Sequence, residues 1–137
     1  MRPMASIVAD LRGFTFDRDA EQRLSELADE IAAQDNAFAA VPEILQLFER
    51  FPNEDFGSPG ALVHVAEHFS GRGYEEELEK SLRRRPTPHT VWLANRSVNA
   101  KDGYSERFLA LLRDIAAKTT GDDETVHRAR DFLALHE

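Results

Sequence analysis

Apolar residues recur along this chain at intervals of three and four, and no run alternates convincingly with a period of two. That spacing predicts helices and no strand. Residues 1–16 read as an irregular lead-in, with Phe14 and Phe16 as anchors onto the elements after it. Asp17 or Asp19 can cap a first helix whose stripe is Leu24, Leu27, Ala28 and Ile31, with Glu21, Glu26, Asp29 and Glu30 outside. Asp35-Asn36 breaks it. A second helix starts at Val41-Pro42, buries Val41, Ile44, Leu47, Phe48 and Phe51, and stops at Pro52-Asn53. Residues 54–57 form a loop. Ser58 then caps a third helix with Pro59 in its first position and Leu62, Val65, Ala66 and Phe69 facing inward. Gly71 and Gly73 end it, and Tyr74, Leu78 and Leu82 give a fourth helix a thin stripe.

Pro86 separates the fourth helix from a fifth, because it lacks an N–H and disfavours helix at Arg85. Thr87 is its cap and Pro88 its first residue. Val91, Ala94, Asn95 and Val98 share one face, Trp92 lies on its shoulder, and Leu93, Ser97 and Ala100 lie on the opposite side. A helix apolar or small on two sides is a helix packed between others. Asn95 stands where an aliphatic residue belongs. The expected reason is an amide tying a loop or helix end across the core; the alternative is a polar ligand site with Arg96 and Asn99. Past Asp102-Gly103, a sixth helix carries Tyr104, Phe108, Leu111, Leu112 and Ile115. Asp122 caps a seventh with Val126, Ala129, Phe132, Leu133 and His136. Short helices with short connections lie antiparallel and bury facing stripes. The expected fold is all-α, about seven helices stacked as pairs over a single domain of 1–137, either a HEAT-like repeat or a compact helical bundle.

Composition narrows the function. The 137 residues contain no cysteine, which excludes disulfides, thiolate metal sites and a cysteine nucleophile. A net charge of −8 argues against nucleic acid and anionic membranes as partners. No apolar run approaches the ~20 residues of a membrane span, and Asp10 and Arg12 interrupt the start too early for a signal peptide. A cytoplasmic protein is expected. The charge is uneven: residues 17–79 hold sixteen Asp/Glu against four Lys/Arg, whereas 80–137 hold eleven Lys/Arg against eight Asp/Glu. A strongly negative first half calls for a basic partner.

Three local patterns carry possible chemistry. His64-Val65-Ala66-Glu67-His68 matches the H-x-x-E-H helix of one class of zinc peptidases, with the two histidines about 40° apart in projection. Two ligands do not make a catalytic zinc site, so surface histidines are expected, with no metal and no cofactor. Glu75-Glu76-Glu77-Leu78-Glu79 is a dense carboxylate run in which Glu76→Lys80 and Glu79→Arg83 stand at i, i+4. Its acids suit the start of a helix, and Arg83-Arg84-Arg85 suits the end. No Gly-rich phosphate loop or nucleophile elbow is present.

The stretch 56–99 contains Gly57-Ser58-Pro59-Gly60-Ala61-Leu62-Val63-His64…Glu67, Gly73-Tyr74…Leu78…Ser81 and Arg85-Pro86-Thr87-Pro88-His89-Thr90-Val91-Trp92-Leu93-Ala94-Asn95-Arg96…Asn99. Over about a third of the chain, this resembles helical immunity proteins of bacterial polymorphic-toxin and contact-dependent growth inhibition systems. The resemblance implies a small acidic cytoplasmic protein, not an enzyme, that binds one cognate toxin domain and silences it. It also makes the H-x-x-E-H match structural. Many such toxins are nucleases or otherwise act on nucleic acid and so present basic active surfaces. The acids expected to cover that surface are Glu26, Asp29 and Glu30 on the first helix, Glu54 and Asp55 in the loop, and Glu75, Glu76 and Glu77 on the fourth helix. Tyr74 beside them is a candidate aromatic anchor, although its stripe position favours burial. Two other functional classes fit the residues: a helical-repeat scaffold or regulatory domain for a cellular partner, and a zinc-dependent hydrolase using His64, Glu67 and His68. Oligomeric state and the toxin's identity are left open.

Overall fold

A computed structural model describes residues 2–100, 103–118 and 123–136, the side chain of Asp123 excepted. Among these, the chain forms eight α-helices and one 3-10 turn, with no strand. The helices are α1 (Met4–Arg12), α2 (Ala20–Ala32), α3 (Val41–Arg50), α4 (Ala61–Glu67), α5 (Tyr74–Arg84), α6 (Pro88–Asn99), α7 (Ser105–Ala116) and α8 (Asp123–His136). The all-α expectation holds. The contacts divide the chain into two compact units, Met1–Tyr74 and Glu75–Glu137.

In the first unit α1 packs on α2 and α3, and α4 packs on α2 and α3. Helix α1 corrects the expected irregular lead-in. Met4, Ile7 and Leu11 are buried at i, i+3 and i+7, but Pro3 offers no side-chain cap, so the helix starts without the usual signal. Ile31, Val41, Ile44, Leu45, Leu47, Phe48 and Val63 are fully enclosed. Val63 takes the inward position expected of Val65, which is half-buried. Arg12 lies across the α1–α3 contact, donating from Nε and Nη2 to the buried Glu43 at 3.1 and 2.7 Å. That bidentate pair lets a carboxylate sit at a buried helix position.

The connections in this unit are pinned by phenylalanines. Phe16 meets Phe14, Phe51 and Phe56 at ring-centroid distances of 5.2, 5.1 and 5.2 Å, and Phe48 meets Phe56 at 4.5 Å. Edge-on packing in three of these pairs, and a tilted contact between Phe16 and Phe51, add to the burial of the rings. Phe14 and Phe16 are therefore the anchors expected of them. The loop before α4 departs from expectation. The Ser58–Pro59 bond is cis, and Gly60 rather than Ser58 occupies the N-cap, with φ of 104°. A Cβ on Gly60 would overlap the Phe56 carbonyl oxygen. Helix α4 therefore starts later than Ser58-Pro59 would set it, at Ala61, without a side-chain cap.

In the second unit α6, α7 and α8 pack on one another in all three pairings. Helix α6 is the packed-between helix that its two apolar sides predict: Val91, Leu93 and Ala94 are fully buried. Its start is a reciprocal box. The Thr90 N–H donates to Thr87 Oγ1 at 3.2 Å, and the Thr87 N–H donates to Thr90 Oγ1 at 3.0 Å. Thr90 thus fills the place usually held by Glu or Gln. Ser105 Oγ donates to the Val98 carbonyl at 3.0 Å and Arg130 Nε to the Ala116 carbonyl at 3.0 Å, satisfying the ends of α6 and α7. The expected cap Asp122 lies outside the described residues. Asn95 is buried, and its Oδ1 accepts from His136 Nε2 at 2.7 Å. The amide ties one helix to the end of another, as its place on the stripe suggests.

Candidate functional site: an acidic groove on the first unit

The first turns of α2 and the loop before α4 enclose a groove of about 460 Å³. Its apolar bed comes from Phe16, Leu24, Phe56 and Ala61. Asp17, Glu21, Glu54 and Asp55 rim it, with Arg18 the one cation among the described residues of its lining. The phenylalanine cluster fixes Phe16 and Phe56, and the two glycines of the loop let the chain fold back tightly under the rim. Asp55 Oδ1 accepts from the Gly57 N–H at 2.8 Å, which closes the turn and leaves the other carboxylate oxygen for a partner. Asp17 is partly neutralised by Arg23 at 3.0 Å. Glu21 and Glu54 are exposed, and among the described residues their side chains have no ion pair or hydrogen bond. The groove therefore offers unpaired acceptors beside an apolar floor. That combination suits a lysine or arginine side chain, whose methylenes lie on the rings while its head meets the carboxylates.

Glu54 and Asp55, expected at a partner surface, both line this groove, and Asp17 and Glu21, which the chain order does not group with them, join them there. The groups are more than thirty residues apart, and only the fold of the loop against α2 brings them together. The signal available was the position of both acids at the start of α2, the same end of the helix.

The other expected acids fall elsewhere. Glu26 and Glu30 line a second pocket of about 340 Å³ with Arg2, Asp10 and Arg23. Arg2 clamps Glu30 and Asp10 there, the latter at 2.6 Å, and these carboxylates, Glu30 foremost, hold its guanidinium above the ordinary pKa. Glu26 accepts from Gln22 Nε2 at 3.0 Å, and Asp29 is exposed.

On α5, Tyr74 and Glu75 are both buried, at 1% and 2% exposure, so neither presents a surface to a partner. Glu75 lies three and seven residues before Leu78 and Leu82, on the buried face rather than beside it. Glu76 is exposed but accepts from Tyr104 Oη at 2.8 Å, and that hydrogen bond, foremost, holds its carboxyl below the usual value. The expected Glu76–Lys80 pair is replaced by Glu77–Lys80 at 3.2 Å. Glu79 takes Arg83 at 3.4 Å as expected, and also Arg107 at a closer 2.7 Å. Glu76, Glu77 and Glu79 thus meet partners within the second unit itself.

His64, on α4, and His68, its C-cap, are exposed. Among the described residues, no group of three or more His, Asp or Glu side chains is placed to hold a metal ion. No described helix is long and apolar enough to cross a membrane. Comparison with protein families, curated proteins and solved structures finds no match to this chain.

Proposed function

We propose that this protein is an immunity protein that binds a basic toxin domain through the acidic groove and occludes the toxin's active surface. The observation that carries the reading is the groove itself: unpaired Glu21 and Glu54, with Asp17 and Asp55, set around an apolar floor. The resemblance over 56–99 supports it, since the tight loop 57–60 belongs both to that stretch and to the groove wall. A cytoplasmic location follows from the role, because a toxin entering or made in the cell is met there. Binding needs no catalytic group. The net negative field steers a basic partner to rates well above the ~10⁵–10⁶ M⁻¹s⁻¹ of an uncharged pair.

The test is a search of the neighbouring reading frames for a toxin domain, followed by association kinetics with any domain found, at low and high salt. Reversing Glu21, Glu54 and Asp55 together to lysine is expected to slow association about tenfold or more at low salt and to abolish protection in cells. Reversing Glu77, already paired with Lys80, is the control and is expected to change little. Full protection by the triple variant, with a salt-independent on-rate, would refute the groove as the docking surface. Failure of the unaltered protein to bind any such toxin would refute the immunity reading itself.

A further inference from the structure

The H-x-x-E-H pattern has no role in the acidic groove, yet its two histidines are placed for one. The His68 N–H donates to the His64 carbonyl at 3.2 Å, so one helical turn separates them and both side chains leave the same face. Both reach one shallow pocket of about 310 Å³, whose remaining lining is Ala32, Ala37, Val65 and Phe69. Among the described residues, that lining itself holds no Lys, Arg, Asp or Glu. Both histidines are exposed, and among the described residues neither imidazole has a hydrogen bond or ion pair. The His68 ring stands edge-on to Phe69, with centroids 5.5 Å apart, which restricts its rotation. Arg72 donates to the His68 carbonyl at 2.7 Å and lies over the Phe69 ring, pinning the helix end beneath the pair.

We propose that His64 and His68 form a two-imidazole half-site for a divalent transition-metal ion, taking Cu²⁺ in preference to Ni²⁺ or Zn²⁺. A catalytic zinc needs three protein ligands; two imidazoles with water in the remaining positions make a chelating site without making that catalytic one. Neutral imidazole suits these three ions, and for a given nitrogen site copper binds most tightly of them. Two ligands one helical turn apart are the same element that supplies half of a zincin site. Glu67, the acid of the pattern, does not line the pocket, so the half-site lacks that enzyme's general base.

The test is titration of the full-length protein with Cu²⁺ alone, followed by calorimetry and electron paramagnetic resonance. One equivalent should bind with the nitrogen hyperfine pattern of two imidazoles. His64→Ala and His68→Ala should each weaken uptake by about tenfold or more, since even loss of an outer partner costs 10–100-fold in metal affinity. His127→Ala, on α8, should bind as the unaltered protein does. Both altered histidines are exposed, so the metal-free variants should unfold at an unchanged denaturant midpoint, separating lost ligands from lost fold. Absence of saturable uptake by the unaltered protein would overturn the proposal. So would full affinity in both variants, or loss in only one of them, which would assign a single ligand.

Discussion

The Asn95–His136 hydrogen bond offers the most direct check on how the second unit is closed. Asn95 is 6% exposed, and His136 is half-buried at the end of α8. Replacing Asn95 with alanine removes the acceptor and leaves His136 Nε2–H facing an apolar helix. A net hydrogen bond contributes about 0.5–1.5 kcal/mol, and an orphaned buried donor costs about 1–3 kcal/mol. Water can reach part of the His136 ring, so the lower half of that range applies, and about 1–2 kcal/mol is expected once lost packing is included. Asn95→Leu keeps the volume apolar and offsets part of this, so it should cost less than the alanine change. Urea unfolding of Asn95→Ala, His136→Ala and the double variant isolates the pair. A coupling of about 0.5–1.5 kcal/mol is expected for residues that share a bond. Additive effects, with coupling near zero, would refute the tie between α6 and α8.

Two more perturbations test local geometry. Gly60→Ala should destabilise the first unit by about 1–3 kcal/mol or more, because a φ of 104° strains any L-residue and the new Cβ meets the Phe56 carbonyl; an unchanged denaturant midpoint would show a different loop path. Tyr104→Phe should let the Glu76 carboxyl rise toward the ordinary carboxylate range in an NMR titration. Because that carboxyl is depressed in the folded state, its contribution is present above the ordinary carboxylate pKa and lost as pH falls through the lower folded value, so the variant should lose stability near neutral pH and converge with the parent in acid.

Most of the architecture was legible because each helix carries its own stripe. Leu24, Leu27, Ala28 and Ile31, or Phe108, Leu111, Leu112 and Ile115, need no tertiary information to be read as buried faces, and all eight are buried. Thr87 and Pro88 mark the start of α6 by local chemistry alone. What local chemistry misled was the start of α4: Ser-Pro is a good helix opening, but the backbone at Gly60 runs too close to Phe56 for the helix to begin sooner. Helix α1 had its stripe and lacked its cap. The partner of Asn95 is 41 residues away, and the acids that join Glu54 at the groove lie at the start of α2, so neither grouping has a local signature.

The same distinction governs the charge. By composition, residues 17–79 are a uniform acidic field, but a docking surface is made by carboxylates whose charge is not already spent inside the protein. Glu30 is held by Arg2, Asp17 by Arg23, Glu43 by Arg12, Glu77 by Lys80, and Glu79 by Arg83 and Arg107. Glu76 holds Tyr104, and Glu75 is buried. A cation arriving at any of these must displace or compete with an existing partner, which cancels most of its gain at a solvated surface. Glu21 and Glu54 impose no such competition, and they line the same groove as the apolar bed of Phe16, Leu24, Phe56 and Ala61. Long-range steering depends on the whole negative field, whereas close docking depends on the few acids left unpaired. For that reason the reversals that discriminate are at Glu21, Glu54 and Asp55, and a reversal at Glu30 would report on its broken clamp with Arg2 as much as on a partner.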